Sequence, residues 1–99
     1  MRISLDYDGT FTEDPKFWTE FIGLAKTFGH EVVCISSRFP SNPPVGVPAE
    51  IICCSFTAKS KTTWADVWID DHPWSIHLDY PRGAKGEILP MNFEQKKAS

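Results

Sequence analysis

Four short apolar runs, 2–6, 31–36, 50–54 and 66–70, set the limits on what this chain can fold into. Apart from polar residues at their ends and Ser4, each is apolar, built from Val, Ile, Leu, Cys or Trp. That pattern predicts parallel strands covered on both faces rather than strands with one wet face. Between the first two runs, residues 15–28 predict a helix. Phe17, Trp18, Phe21, Ile22, Leu24, Ala25 and Phe28 recur at i, i+3, i+4 spacing and make a broad apolar stripe. Asp14 supplies an N-cap, Pro15 a favoured first-turn residue and Gly29 a stop. Residues 2–36 therefore read as a strand–helix–strand unit.

The next connection has a different character. Residues 38–48 hold four of the eight prolines, and proline removes helix donors. An extended strap is expected there instead of a crossover helix. Residues 57–64 have room for about two helical turns. Beyond the fourth run the chain is punctuated by Pro and Gly, with weak strand signals at 75–80 and 87–89. Residues 1–91 are expected to form one small domain and 92–99 a polar tail.

Composition narrows the classes. The chain has 99 residues, 41% apolar and 23% charged, with a net charge of −3. The balance argues against general nucleic-acid binding, and no apolar run approaches the ~20 residues that span a bilayer. A strand begins almost at Met1, leaving no space for a signal peptide, so a cytoplasmic location is expected. Cys34, Cys53 and Cys54 read as small apolar strand residues. So small a core gains from bound metal or a partner subunit, and a homo-oligomer is among the expectations.

The polar residues that close the runs carry the chemistry. The first run ends in Asp6-Tyr7-Asp8-Gly9-Thr10, two carboxylates at i, i+2 followed at once by a turn. Neighbouring carboxylates repel unless a cation or a proton lies between them, which suggests a hard, oxygen-liking ion such as Mg2+. The second run ends in Ser36-Ser37-Arg38 and the fourth in Asp70-Asp71-His72. Lys59 falls between the third and fourth, with Lys61 as a second candidate. Asp pair, Ser, Lys and Asp pair, in that order, resemble the four motifs of the haloacid dehalogenase (HAD) superfamily over residues 1–75.

The resemblance implies a small three-layer, Rossmann-like α/β domain with a mostly parallel sheet. In it strand one lies between strands two and four, and strand three lies beyond two. The chain lacks room for a cap domain, so it resembles the capless subgroup, trimmed as in a phage or bacterial member. The implied activity is a Mg2+-dependent phosphatase acting on phosphomonoesters through an aspartyl-phosphate. Asp6 would be the nucleophile and Asp8 the general acid and base. Ser36, Ser37 and Lys59 would hold the phosphate. Asp6, Asp8 and Asp71 would hold the metal, with Asp70 either supporting or replacing Asp71. Substrates in keeping with an open site are a nucleotide, a nucleic-acid end or a small phosphomonoester. The alternative is a non-catalytic phosphate- or partner-binding module that retains the fold. Of the remaining residues, His72 reads as a turn residue, and Trp18 and Trp68 as core. Trp74 and Phe39, just beyond catalytic strand ends, could stack on a base. Arg38 could meet substrate or solvent.

Overall fold

The computed structural model describes residues 1–90. Four strands form one sheet: β1 (Arg2–Asp6), β2 (Glu31–Ser36), β3 (Glu50–Cys53) and β4 (Val67–Ile69), in the order β3-β2-β1-β4. Every pairing is parallel. The parallel direction is the one that the apolar runs predict, and the order is the one that the family resemblance implies.

Helix α1 (Pro15–Thr27) joins β1 to β2. The Asp14 carboxylate accepts the Phe17 N–H at 3.2 Å, and Pro15 occupies the first turn, where its missing N–H costs nothing. Gly29, at φ +82°, takes the left-handed conformation that ends the helix. Strand register places Leu5 opposite Cys34 and Ile69. Alternation then puts these residues on one face of the sheet. Ile3, Leu5, Val32 and Cys34 pack there with Ile22 and Ala25 of α1. On the opposite face Ser4, Val33 and Ile35 are also buried.

The apolar stripe of α1 is wider than the surface beneath it. Phe17, Leu24 and Phe28 remain exposed, while only Ile22 and Ala25 are buried. The edge strands explain this. β3 and β4 have four and three residues and are only half-buried, so the expectation of strands covered on both faces holds for β1 and β2 alone.

No helix lies between β2 and β3, and the proline-rich strap is held from outside by hydrogen bonds. The Lys26 ammonium donates to the Pro48 carbonyl at 2.6 Å, and the Tyr7 hydroxyl donates to that of Val45 at 3.4 Å. Helix α2 (Lys59–Thr62) is a single turn, shorter than the expected 57–64. Its Thr62 hydroxyl bonds back to the Lys59 carbonyl and β-branched Thr63 follows, which works against a second turn. The strand expected at 75–80 is absent. Pro73–Ile76 form a 3-10 turn, because the His72 carbonyl accepts both the N–H and the hydroxyl of Ser75. Of the strand expected at 87–89, one antiparallel bridge between Arg82 and Ile88 remains. The polar tail at 92–99 lies outside the described residues.

Candidate functional site

Asp6 is the last residue of β1, and β1 is flanked on both sides by paired strands. Its carboxylate therefore opens at the carboxyl edge of the sheet, where ligands of parallel α/β sheets bind. The chain then reverses through Gly9 at φ +84°, a backbone conformation that glycine alone adopts without penalty. The reversal returns Thr10 to Asp6, and the Thr10 hydroxyl donates to Asp6 Oδ2 at 3.1 Å. The Thr10 hydroxyl oxygen itself accepts the Asp71 N–H at 3.3 Å, so Thr10 ties the end of β1 to the segment after β4.

Lys59 enters this cluster from α2 and is 1% exposed. Its ammonium donates to Asp6 Oδ1 at 2.7 Å and also to Asp70 Oδ2. Burial pushes the Asp6 carboxyl up to about 7, and the attraction of Lys59 offsets only part of that rise. Burial likewise raises Asp70, again against Lys59. For Lys59 burial works against the charge, yet Asp6 and Asp70 together outweigh it and hold the ammonium above the usual lysine range. The other sequence candidate, Lys61, is exposed and pairs with Asp79 at 3.0 Å, away from the cluster.

Asp6, Asp70 and Asp71 each bring a carboxylate oxygen within 4.8 Å of the others. When all three are ionised, the carboxylates exceed the one ammonium by two negative charges, which matches one divalent cation. The all-oxygen donor set suits Mg2+. Within the cluster the two adjacent acids differ. Asp70 is nearly buried, and its oxygens face Lys59, the His72 N–H at 2.9 Å and the Ser75 hydroxyl at 3.5 Å. Asp71 is one-third exposed, with its Oδ2 3.5 Å from His72 Nε2. Asp71 is thus the acid more open to an incoming ion.

An open cleft of about 180 Å3 lies over these groups, lined also by Asp8, Ser37 and Arg38. Asp8 does not join the acid cluster. Its carboxylate is half-exposed and bound bidentately by Arg38, with both N···O distances 2.9 Å. The Arg38 guanidinium also lies 5.0 Å over the Tyr7 ring. Ser36 and Ser37 differ in the same way as the two acids. Ser36 is fully buried, and its hydroxyl accepts the Arg38 N–H at 3.1 Å. Ser37 lines the cleft. Alternation along β2 accounts for this: Ile35 pairs with Asp6, so a side chain two residues on shares the Asp6 face and Ser36 does not.

The cleft includes residues that the sequence did not single out. Ser75 and Tyr80 reach it from the C-terminal segment, and Phe56 from the loop after β3. Phe56 had no sequence signal, since its backbone takes φ +62° without a glycine. Trp18 and Trp68 are partly buried, Trp18 against the core as expected. The three cysteines are free thiols. Burial pushes Cys34 up to about 12, in keeping with a packing role.

Comparison with protein-family models, with curated proteins and with solved structures gives no match. The functional reading therefore stands on the geometry of this cleft. Among the described residues no helix is long and apolar enough to cross a membrane.

Gly9 gives the geometry a direct test. A Cβ added there would stand 2.3 Å from Asp71 Oδ2, besides being strained at φ +84°. Gly29 has almost the same φ, +82°, but nothing within 4 Å. Gly29→Ala should carry the backbone cost alone, about 1 kcal/mol. Gly9→Ala should lose roughly twice that and displace Asp71. Thermal melts of the two variants, with and without Mg2+, check this. Equal losses, with the Mg2+ response intact in both, would show that Asp71 does not stand against Gly9.

Proposed function

We propose that this chain is a Mg2+-dependent phosphohydrolase that acts on phosphomonoesters through an aspartyl-phosphate, on a capless HAD-like domain. The observation that supports it most is the buried Lys59 ammonium shared by Asp6 and Asp70 at the carboxyl edge of the sheet, with Asp71 beside them. A lysine held this way favours the ionised form of Asp6 against the cost of its burial and presents positive charge to a phosphate.

Asp6, Asp71 and Asp70 would hold the ion, along with the Asp8 carbonyl that the family resemblance implies. When bound, Mg2+ supplies charge that neutralises the carboxylates and phosphoryl oxygens. In the first step an Asp6 oxygen attacks phosphorus, the bond to the leaving oxygen breaks, and Asp8 gives that oxygen a proton. In the second step Asp8 takes a proton from water. The water oxygen attacks phosphorus, and the bond to Asp6 breaks to release phosphate. Lys59 and the Ser37 hydroxyl stabilise charge on the phosphoryl oxygens. Ser36 shapes the turn that carries Ser37 and Arg38 to the cleft. Asp8 must first leave Arg38 and take up a proton from solvent, and a substrate phosphate competes for that guanidinium. A cytoplasmic location belongs to the same proposal, since free thiols suit a reducing compartment.

The test is hydrolysis of an aryl phosphate by the purified protein with Mg2+, and its loss with chelator. A rate that ignores chelator would remove the proposal. One observation favours the second reading, a phosphate-binding module without turnover: Arg38 occupies both oxygens of the acid–base residue. Beryllium fluoride trapped on Asp6 without any substrate turnover would select it.

Metal binding should also appear in stability. The acids come from strands far apart in sequence, so the unfolded chain offers no formed site. At a hundredfold excess over Kd, Mg2+ should stabilise by about 2.7 kcal/mol, a rise of roughly 10–20 °C in a domain this size. Asp71→Asn should remove most of that rise. Asp70→Asn should remove less of it, because the Asp70 oxygens face Lys59, the His72 N–H and the Ser75 hydroxyl. No shift at millimolar Mg2+ would count against the site.

A further inference from the structure

Five aromatic side chains form a continuous arc on one side of the cleft. Phe39 and Phe56 have ring centroids 5.5 Å apart, and Phe56 and Tyr80 meet edge to face at 5.0 Å. Tyr80 and Trp74 follow at 5.3 Å, and Trp74 stacks on His72 at 5.1 Å with 19° between planes. Phe56, Tyr80 and His72 line the cleft together with Asp6 and Lys59, while Phe39 is 43% exposed at the outer end. These rings come from four separate segments, so folding assembles the arc and no local sequence preference does.

Phe56 is the central ring and the most constrained. It follows Ser55 in the left-handed region, at φ 62° and 51°, a conformation unusual for a bulky residue. Hydrogen bonds hold it from both sides. Its N–H donates to the Ser37 carbonyl at 2.8 Å, and its carbonyl accepts the Tyr80 N–H at 2.9 Å. Both partners themselves line the cleft. A backbone held away from its preferred conformation, with a large flat side chain lining the cleft that also holds Asp6 and Lys59, points to a ligand-binding role. Glycine would adopt the same turn without strain, so the ring itself is the feature to explain.

We infer that this arc is a stacking platform for the base of a nucleoside monophosphate, a reading that rests on the phosphatase proposal for the position of the phosphate. With the phosphate against Lys59 and Ser37, the base lies along Phe56 and Tyr80, toward Phe39. Stacking on aromatic side chains tolerates any base, so the platform selects for a flat ring and not for one nucleobase.

Calorimetric titration of Asp6→Asn with Mg2+, which binds without turnover, separates the contributions. A nucleoside monophosphate should bind about tenfold tighter than ribose 5-phosphate. Adding Phe56→Gly, which suits the local φ, should reduce that ratio to below about twofold while leaving ribose 5-phosphate unaffected. If that variant loses its melting transition, Phe39→Ala at its exposed position carries the same test, with the ratio again falling. Equal affinities for the two ligands, binding of neither, or a ratio that survives substitution of the ring overturn the platform. Tighter binding of the nucleoside monophosphate than of ribose 5-phosphate by a protein that hydrolyses nothing keeps the platform and removes the phosphatase reading. Hydrolysis of both ligands with equal KM does the reverse.

Discussion

Asp6→Asn should lower phosphomonoester hydrolysis at least about a thousandfold and leave the fold intact. The effect is large because asparagine removes the attacking oxygen without removing the packing. The side chain is 8% exposed at the centre of the sheet edge, so a substitution that changed its volume would confuse catalysis with folding. The asparagine amide oxygen can still accept from Lys59, which now donates to Asp6 at 2.7 Å, and its NH2 can donate to the Thr10 hydroxyl oxygen. Losing one of the two uncompensated negative charges should also raise the melting temperature of the metal-free protein. Rate and melting temperature are to be measured on the same preparation. Activity within tenfold of the parent would show that Asp6 is not the nucleophile. An inactive protein that has also lost its melting transition would show that the asparagine does not preserve the packing.

Lys59→Met should have the largest effect on stability. Removing one member of a buried charge network strands the others, at a cost of roughly 3–5 kcal/mol. Lys59 and Asp70 have side chains 1% and 4% exposed, so water cannot replace the ammonium. The domain holds about 5–15 kcal/mol in all, and the loss corresponds to a fall of at least about 12 °C in melting temperature. Mg2+ should restore part of it, because three carboxylates without the ammonium attract a cation more strongly. Hydrolysis should stay lost in either condition, since Arg38, the other basic side chain lining the cleft among the described residues, pairs with Asp8 and not with Asp6. Lys61→Met is the matched control. Its exposed pair with Asp79 contributes little, and the melting temperature should stay within a few degrees. Similar melting temperatures for the two variants would mean that the buried network does not hold the sheet edge together.

The architecture of the sheet was legible in the residues. Four continuous apolar runs, one capped helical stripe and a proline-rich gap suffice for a parallel sheet with a missing crossover helix, because burial and backbone chemistry act locally. The ends of those runs likewise marked Asp6, Asp70 and Asp71 as neighbours, since parallel strands share a carboxyl edge, and the family resemblance added Lys59. Sequence left the choice between close neighbours to the fold. That Ser37 and not Ser36 lines the cleft, that Asp71 is more exposed than Asp70, and that Lys59 and not Lys61 enters the cluster depend on strand register and turn geometry. The Arg38–Asp8 pair and the aromatic arc depend on segments 17–30 residues apart meeting in space. The left-handed Phe56, with no glycine to announce it, is held by hydrogen bonds from Ser37 and Tyr80 that exist only once the chain has closed around it.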